Sequence, residues 1–123
     1  MREFRSLADV DACHFDDPRI GRAVRDAVAT LVDAVSCPER PYDPDTDGWI
    51  VLLEPGDNDD VLAEFSSRGL PDMLWEGAVR DETSGCILTA LCTNNSFGIT
   101  VVVPRDGEFL SPAARCRLLE ELP

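Results

Sequence analysis

Carboxylates are the chemistry this chain carries in quantity. Its 123 residues hold 24 Asp and Glu against 11 basic residues, every one of them arginine, and a single histidine, His14. An unperturbed histidine is the one side chain that titrates near neutral pH, so general acid–base work there has one candidate. Cys13 stands directly before it. A nucleophile and its base usually meet through the fold rather than as sequence neighbours, and no third residue can be named to orient this pair. The sequence has no P-loop, GxSxG, HExxH or GxGxxG. Glu54 and Glu76 could be read as a carboxylate pair, but among so many acids any two could. Cysteines stand at 13, 37, 86, 92 and 116, an odd set without CxxC spacing. That pattern fits free thiols in a reducing compartment better than a disulfide framework. A zinc site from Cys13, His14 and Cys37 lacks the close ligand spacing such sites use. The expectation is a protein that is not an enzyme and holds no cofactor and no metal.

The closest motif match is in the run Asp43-Pro44-Asp45-Thr46-Asp47-Gly48, followed by Trp49 to Leu53 and then Glu54. It satisfies D-x-D-x-D-G-x5-E at every fixed position and resembles an EF-hand loop over these residues alone. The resemblance implies Asp43, Asp45, Asp47, the Trp49 carbonyl and bidentate Glu54 as calcium ligands, with Gly48 making the turn. The flanks depart from that family. Pro38, Pro41 and Pro44 crowd the approach and Pro55-Gly56 follows Glu54, where an EF-hand has helices. If Trp49 to Leu53 is instead a strand, it carries Glu54 roughly 16 Å from the aspartates. Calcium binding is therefore kept only as an alternative.

Negative charge is patterned as well as abundant. The formal net charge is −13, and the segment 39–64 holds nine acids with one base, Arg40. Such a chain is no direct partner for nucleic acid or an anionic membrane, because phosphates need a basic surface. No apolar run reaches the ~20 residues of a membrane span. Residues 1–11 carry Arg2, Glu3, Arg5, Asp9 and Asp11, without the apolar core of a signal peptide. A cytoplasmic protein is expected. A dense acidic patch on a small domain steers basic partners toward it, and it can imitate duplex DNA, with its one charge per ~1.7 Å of axis.

The elements that must position these groups read as one domain, 1–123. Residues 1–16 look like an irregular lead-in. Asp17 caps a helix with Pro18 at its first position, and Ile20, Val24, Ala27, Val28, Leu31, Val32 and Val35 form its apolar stripe. Pro38 and Pro41 end it. After a Pro/Asp loop over 37–48, Trp49 to Leu53 is an unbroken apolar run, as in a strand buried on both faces. Asp57 caps a short helix, with Asp60 completing the capping pattern and Val61, Leu62 and Phe65 inside. Gly69-Leu70-Pro71 stops that helix. Three strands follow, Leu74 to Arg80, Cys86 to Cys92 and Phe97 to Val103, with turns at 81–85 and 93–96. Ser111 and Pro112 open a last helix. The fold class is α+β: about four mostly antiparallel strands, the last three a meander, covered by an N-terminal, a middle and a C-terminal helix.

The stretch Gly48-Trp49-Ile50-Val51-Leu52-Leu53-Glu54-Pro55-Gly56-Asp57, with Trp75-Glu76-Gly77 and Asn94-Asn95-Ser96-Phe97-Gly98, resembles small acidic proteins of bacterial phages and conjugative elements. The resemblance covers about 50 residues and implies an accessory or inhibitory role, like that of anti-CRISPR and anti-restriction proteins, without assigning any residue a task. The expected function is a binding protein that occupies the basic, nucleic-acid-binding surface of a partner protein. An immunity protein or antitoxin against a basic toxin is the alternative. Asp43, Asp45, Asp47, Asp57, Asp59, Asp60 and Glu64 would form the acidic contact. Trp75, just beyond Pro71-Asp72, would be the apolar anchor.

Overall fold

The computed structural model describes residues 1–56, 61–70, 73–93 and 98–123. Its centre is a five-stranded sheet in the order β1-β2-β5-β4-β3, with β1 Arg2–Phe4, β2 Ile50–Leu52, β3 Leu74–Arg80, β4 Ile87–Cys92 and β5 Gly98–Val103. β3, β4 and β5 form the expected antiparallel meander. β2 runs parallel to β5, pairing Ile50 with Thr100 and Leu52 with Val102. β1 closes that side of the sheet antiparallel to β2, pairing Arg2 with Leu52 and Phe4 with Ile50.

The apolar run at β2 explains its place. A strand alternates its side chains between faces, so a strand with no polar position must be covered on both. Val51 and Leu53 enter one core with Trp49, Phe65, Leu91, Ile99 and Val101. Ile50 and Leu52 enter the other with Phe4, Val24, Val28 and Val102. The first core lies under α4 (Val61–Ser67) and α5 (Pro112–Glu120), and the second under α1 (Leu7–Asp11) and α2 (Pro18–Val35). Asp17 caps α2 with Pro18 following, and the Ser111 hydroxyl caps α5 from the Ala114 N–H. No helix among the described residues is long and apolar enough to cross a membrane.

Several expectations need correction. The lead-in at 1–16 is β1 and α1, so the sheet has five strands rather than four; it is mostly antiparallel as expected, with β2 and β5 paired parallel. β1 escapes hydropathy because an edge strand of three residues needs only one buried side chain, Phe4, and tolerates charge at Arg2 and Glu3. The 37–48 loop contains a single helical turn, α3 (Pro44–Asp47). The cap at Asp57 and Asp60, the stop at Pro71, the turn over 94–96 and the start at Phe97 lie outside the described residues.

After β5 the chain makes a left-handed turn, with φ of 53° at Arg105, 56° at Asp106 and 69° at Gly107. Non-glycine residues hold that conformation only where the surroundings impose it. Here Arg80 ion-pairs with the Asp106 carboxylate, and Arg115 Nε donates to the Asp106 carbonyl at 3.0 Å. The turn thereby ties α5 to the end of β3.

Candidate functional site

The acid-rich segment begins where α2 stops. Cys37 and Arg40 exchange backbone hydrogen bonds of 2.9 and 3.0 Å, turning the chain and leaving Glu39 exposed at the tip. Arg40 then folds back. Its guanidinium donates to Asp47 at 2.7 and 3.3 Å, a forked contact that a lysine could not make. Asp43 caps α3 by accepting the Asp45 N–H at 3.0 Å, and Asp47 accepts the Asp43 N–H at 3.0 Å. Pro44 sits at the first helical position, where its missing N–H is no loss. The Tyr42 hydroxyl donates to the Gly48 carbonyl. The result is a small, rigid, acid-bearing knuckle.

These contacts divide the acids. Asp47 is spent on the fold: Arg40 and then the Asp43 N–H hold its carboxyl below the usual carboxylate range, and its side chain is only 9% exposed. Glu54, beyond β2, pairs with Arg2 at 2.8 Å. Asp43 and Asp45 are exposed, and neither they nor Glu39 or Glu64 join an ion pair among the described residues. Glu64 is half-buried in the first turn of α4. Asp57, Asp59 and Asp60 lie outside the described residues. Trp75 is half-buried on the sheet face under α4 and α5, lining a small cavity of about 60 Å³ with Leu53, Leu62, Leu110 and Leu118. It is thus a partly seated side chain rather than a free-standing one.

Asp47 gives a sharp expectation. A carboxylate whose folded pKa is depressed stabilises the fold above its unfolded pKa, and that stability is lost as pH falls through the folded value. Asp47→Asn should therefore lower the urea midpoint at neutral pH. The gap from the unaltered protein should close progressively below about pH 4. A gap that is constant across this range would mean that the Arg40 fork contributes nothing through charge.

The EF-hand-like loop is committed otherwise. Asp43 caps, Asp47 holds Arg40, Trp49 and Ile50 enter the sheet, and Glu54 meets Arg2. Among the described residues no three His, Cys, Asp or Glu side chains gather closely enough to hold a metal ion. Calorimetric titration should show no calcium binding tighter than ~1 mM, since Pro38, Pro41, Pro44 and Pro55 stand where an EF-hand has its flanking helices. Micromolar affinity lost in Asp43→Ala and Glu54→Ala would overturn this.

The remaining chemistry-bearing groups are scattered. His14 is exposed and lies 3.3 Å from Asp16, itself exposed. All five cysteines are free. Burial pushes the thiols of Cys86 and Cys92 above their ordinary pKa, and Glu120 does the same at Cys116, which disfavours the nucleophilic thiolate. A cavity of about 510 Å³ opens beyond the carboxyl ends of β2 and β5, between Phe15, Ile20, Glu54 and Arg105. Sequence reading missed it, because only the parallel pairing of β2 with β5 brings these residues together. Of its charged lining residues, Arg2 pairs with Glu54, while Asp17 and Asp16 turn to Arg19 and His14 outside the lining.

No protein-family model matches this chain, and neither a curated protein nor a solved structure does.

Proposed function

We propose that this protein is a non-enzymatic, acidic binding protein that occupies a basic, nucleic-acid-binding surface of a partner protein, as DNA-mimicking inhibitors do. One observation carries the reading. The only base of the segment, Arg40, forks onto Asp47, while Glu39, Asp43 and Asp45 stand exposed and join no ion pair among the described residues. Uncompensated charge on a rigid support accelerates encounter with a basic partner and contributes no ordering penalty of its own. The scatter of the chemistry-bearing groups supports a binding role over a catalytic one: His14 is exposed beside the exposed Asp16, and the thiols of Cys86, Cys92 and Cys116 are raised.

The test starts with capture of partners from the source cells on the immobilised protein, identified by mass spectrometry. A nuclease or other nucleic-acid-binding protein supports the proposal. A toxin encoded beside this chain would favour the immunity reading. Kinetics then use a variant with Glu39, Asp43, Asp45, Asp57, Asp59, Asp60 and Glu64 changed to their amides, with Asp47 left to hold Arg40. Asn caps α3 as Asp does, so the fold should survive. The on-rate should fall about tenfold or more at low salt, and the affinity of the unaltered protein should drop steeply between about 50 and 300 mM salt. Trp75→Ala should mainly raise the off-rate. Unchanged affinity of the amide variant across that range would sink the mimic.

A further inference from the structure

The two faces of the sheet are not equally covered. On the α2 side, cross-strand neighbours form the rows Val79, Leu88, Val102, Leu52 and Glu76, Ala90, Thr100, Ile50, Phe4, ahead of the shorter row Leu74, Cys92. Helix α2 lies over the β1, β2 and β5 half: Phe4, Ile50, Leu52 and Val102 are buried beneath it. The other half is open. Leu74 is 63% exposed and Val79 56%, while Leu88, Ala90, Cys92 and Thr100 are half-buried. The apolar stripe of α2 continues past the buried Ala23, Val24 and Val28 to Ala27 and Leu31, which stay half-buried beside this opening. Two adjoining hollows of about 410 and 310 Å³ share Leu88 and Thr100, one against α2 and the other over β3 and β4.

The dimensions and the charge select an occupant. Strands lie ~4.8 Å apart, so the open floor from β5 to β3 is about 10 Å wide, the diameter of one α-helix. The hollows are lined by three carboxylates, Asp26, Glu76 and Asp81, and by no basic residue. Asp33 projects from α2 two turns beyond Asp26 on the same side. We infer that this face docks an amphipathic helix of a partner protein, its apolar side on Leu31, Val79 and Leu88 and its flanks carrying Arg or Lys. This surface is built from α2, β3, β4 and β5, none of which belongs to the acidic segment 39–64, so the inference stands apart from the function proposed above.

The other occupants fit worse on the same observations. A second copy of this chain would set Asp26, Glu76 and Asp81 against their own counterparts and bring together two bodies of net charge −13. A partner strand added to the outer edge of β3 meets a register shift between Glu76 and Ala78. There the Gly77 N–H already donates to Glu121 at 3.3 Å and the Gly77 carbonyl accepts from Thr89 at 2.6 Å. Such a bulge blunts an edge against pairing.

The experiment presents the full chain with a displayed library of helical peptides of about 18 residues, long enough for an isolated helix to hold its shape. Enriched peptides should carry Leu, Ile or Met at positions i, i+3, i+4 and i+7 with Arg or Lys beside them. The leading peptide should bind Leu74→Ser/Val79→Thr about tenfold more weakly, although both positions are exposed and the melting temperature stays unchanged. Asp26→Asn/Glu76→Gln should weaken it less and flatten its salt dependence. Four results would each overturn the inference: no enrichment, enrichment without basic flanks, equal binding to the Leu74/Val79 variant, or self-association of the chain that this variant abolishes.

Discussion

Gly48→Ala should fail to fold, or should melt at least ~10 °C below the unaltered protein, a loss of roughly 3 kcal/mol or more. Gly48 has φ 91° and ψ 179°, a region that only glycine occupies without strain. It also sits directly on the neighbouring strand: a Cβ built there would lie 1.7 Å from the Gly98 carbonyl oxygen. That oxygen cannot retreat, because β5 is held on one side by β2 and on the other by six residues of β4. The next link of the parallel pair, Thr100 N–H to the Trp49 carbonyl, measures 3.0 Å and would be pushed apart. Gly56→Ala is the control. Its φ is 92°, but nothing lies within 4 Å of the added methyl, so only the backbone term of about 1–2 kcal/mol remains. Urea titration of the two variants separates collision from strain. A Gly48→Ala protein as stable as Gly56→Ala would mean that β2 does not approach β5 in this register.

Gly48 shows where sequence reading stops. Its position in a D-x-D-x-D-G run suggests a turn around a cation, whereas its actual constraint is a strand 50 residues away. Elements whose signals are local were legible. Asp17-Pro18 ahead of a seven-residue stripe marks α2, Ser111-Pro112 marks α5, and the β-branched run at 101–103 marks β5. β1 and α3 were not, because three or four residues are too few to show a period. Nor was the parallel pairing of β2 with β5, since β2 is apolar on both faces and nothing in its pattern selects a partner or a register. The candidate site divides the same way. The density of acids between 39 and 64 is visible in the chain. Which of them remain available is not, because Asp47 is consumed by Arg40 seven residues away and Glu54 by Arg2 at a separation of 52. The stripe on α2 did carry a usable signal: it is wider than the strands α2 covers, and the surplus, Ala27 and Leu31, borders the open half of the sheet.

Phe65→Ala should cost about 3–5 kcal/mol, the range for truncating a buried aromatic side chain. Phe65 is fully buried and meets the Trp49 ring edge-on, with centroids 6.3 Å apart at 66°. Arg68 lays its guanidinium over the Phe65 ring, 5.2 Å from the centroid, while its own charge reaches Glu3 on β1 at 2.8 Å. Helix α4 has seven residues, too short to persist without its neighbours, so Phe65 and Val61 are what keep it on the sheet. At the same residue the backbone closes the helix end: the Phe65 carbonyl accepts the N–H groups of Arg68 and Leu70. Truncation leaves that carbonyl in place but removes the packing that holds α4 against the sheet. Hydrogen exchange should lose protection first over 61–67, while β4 and β5, buried between both cores, keep theirs. Leu74→Ser, on the exposed half of the sheet, should change the urea midpoint little, although it too removes a large apolar side chain from a strand. If Phe65→Ala instead fell within about 1 kcal/mol of the unaltered protein, α4 would not be anchored by this ring. Glu64 would then ride on a mobile segment rather than on a fixed acidic support.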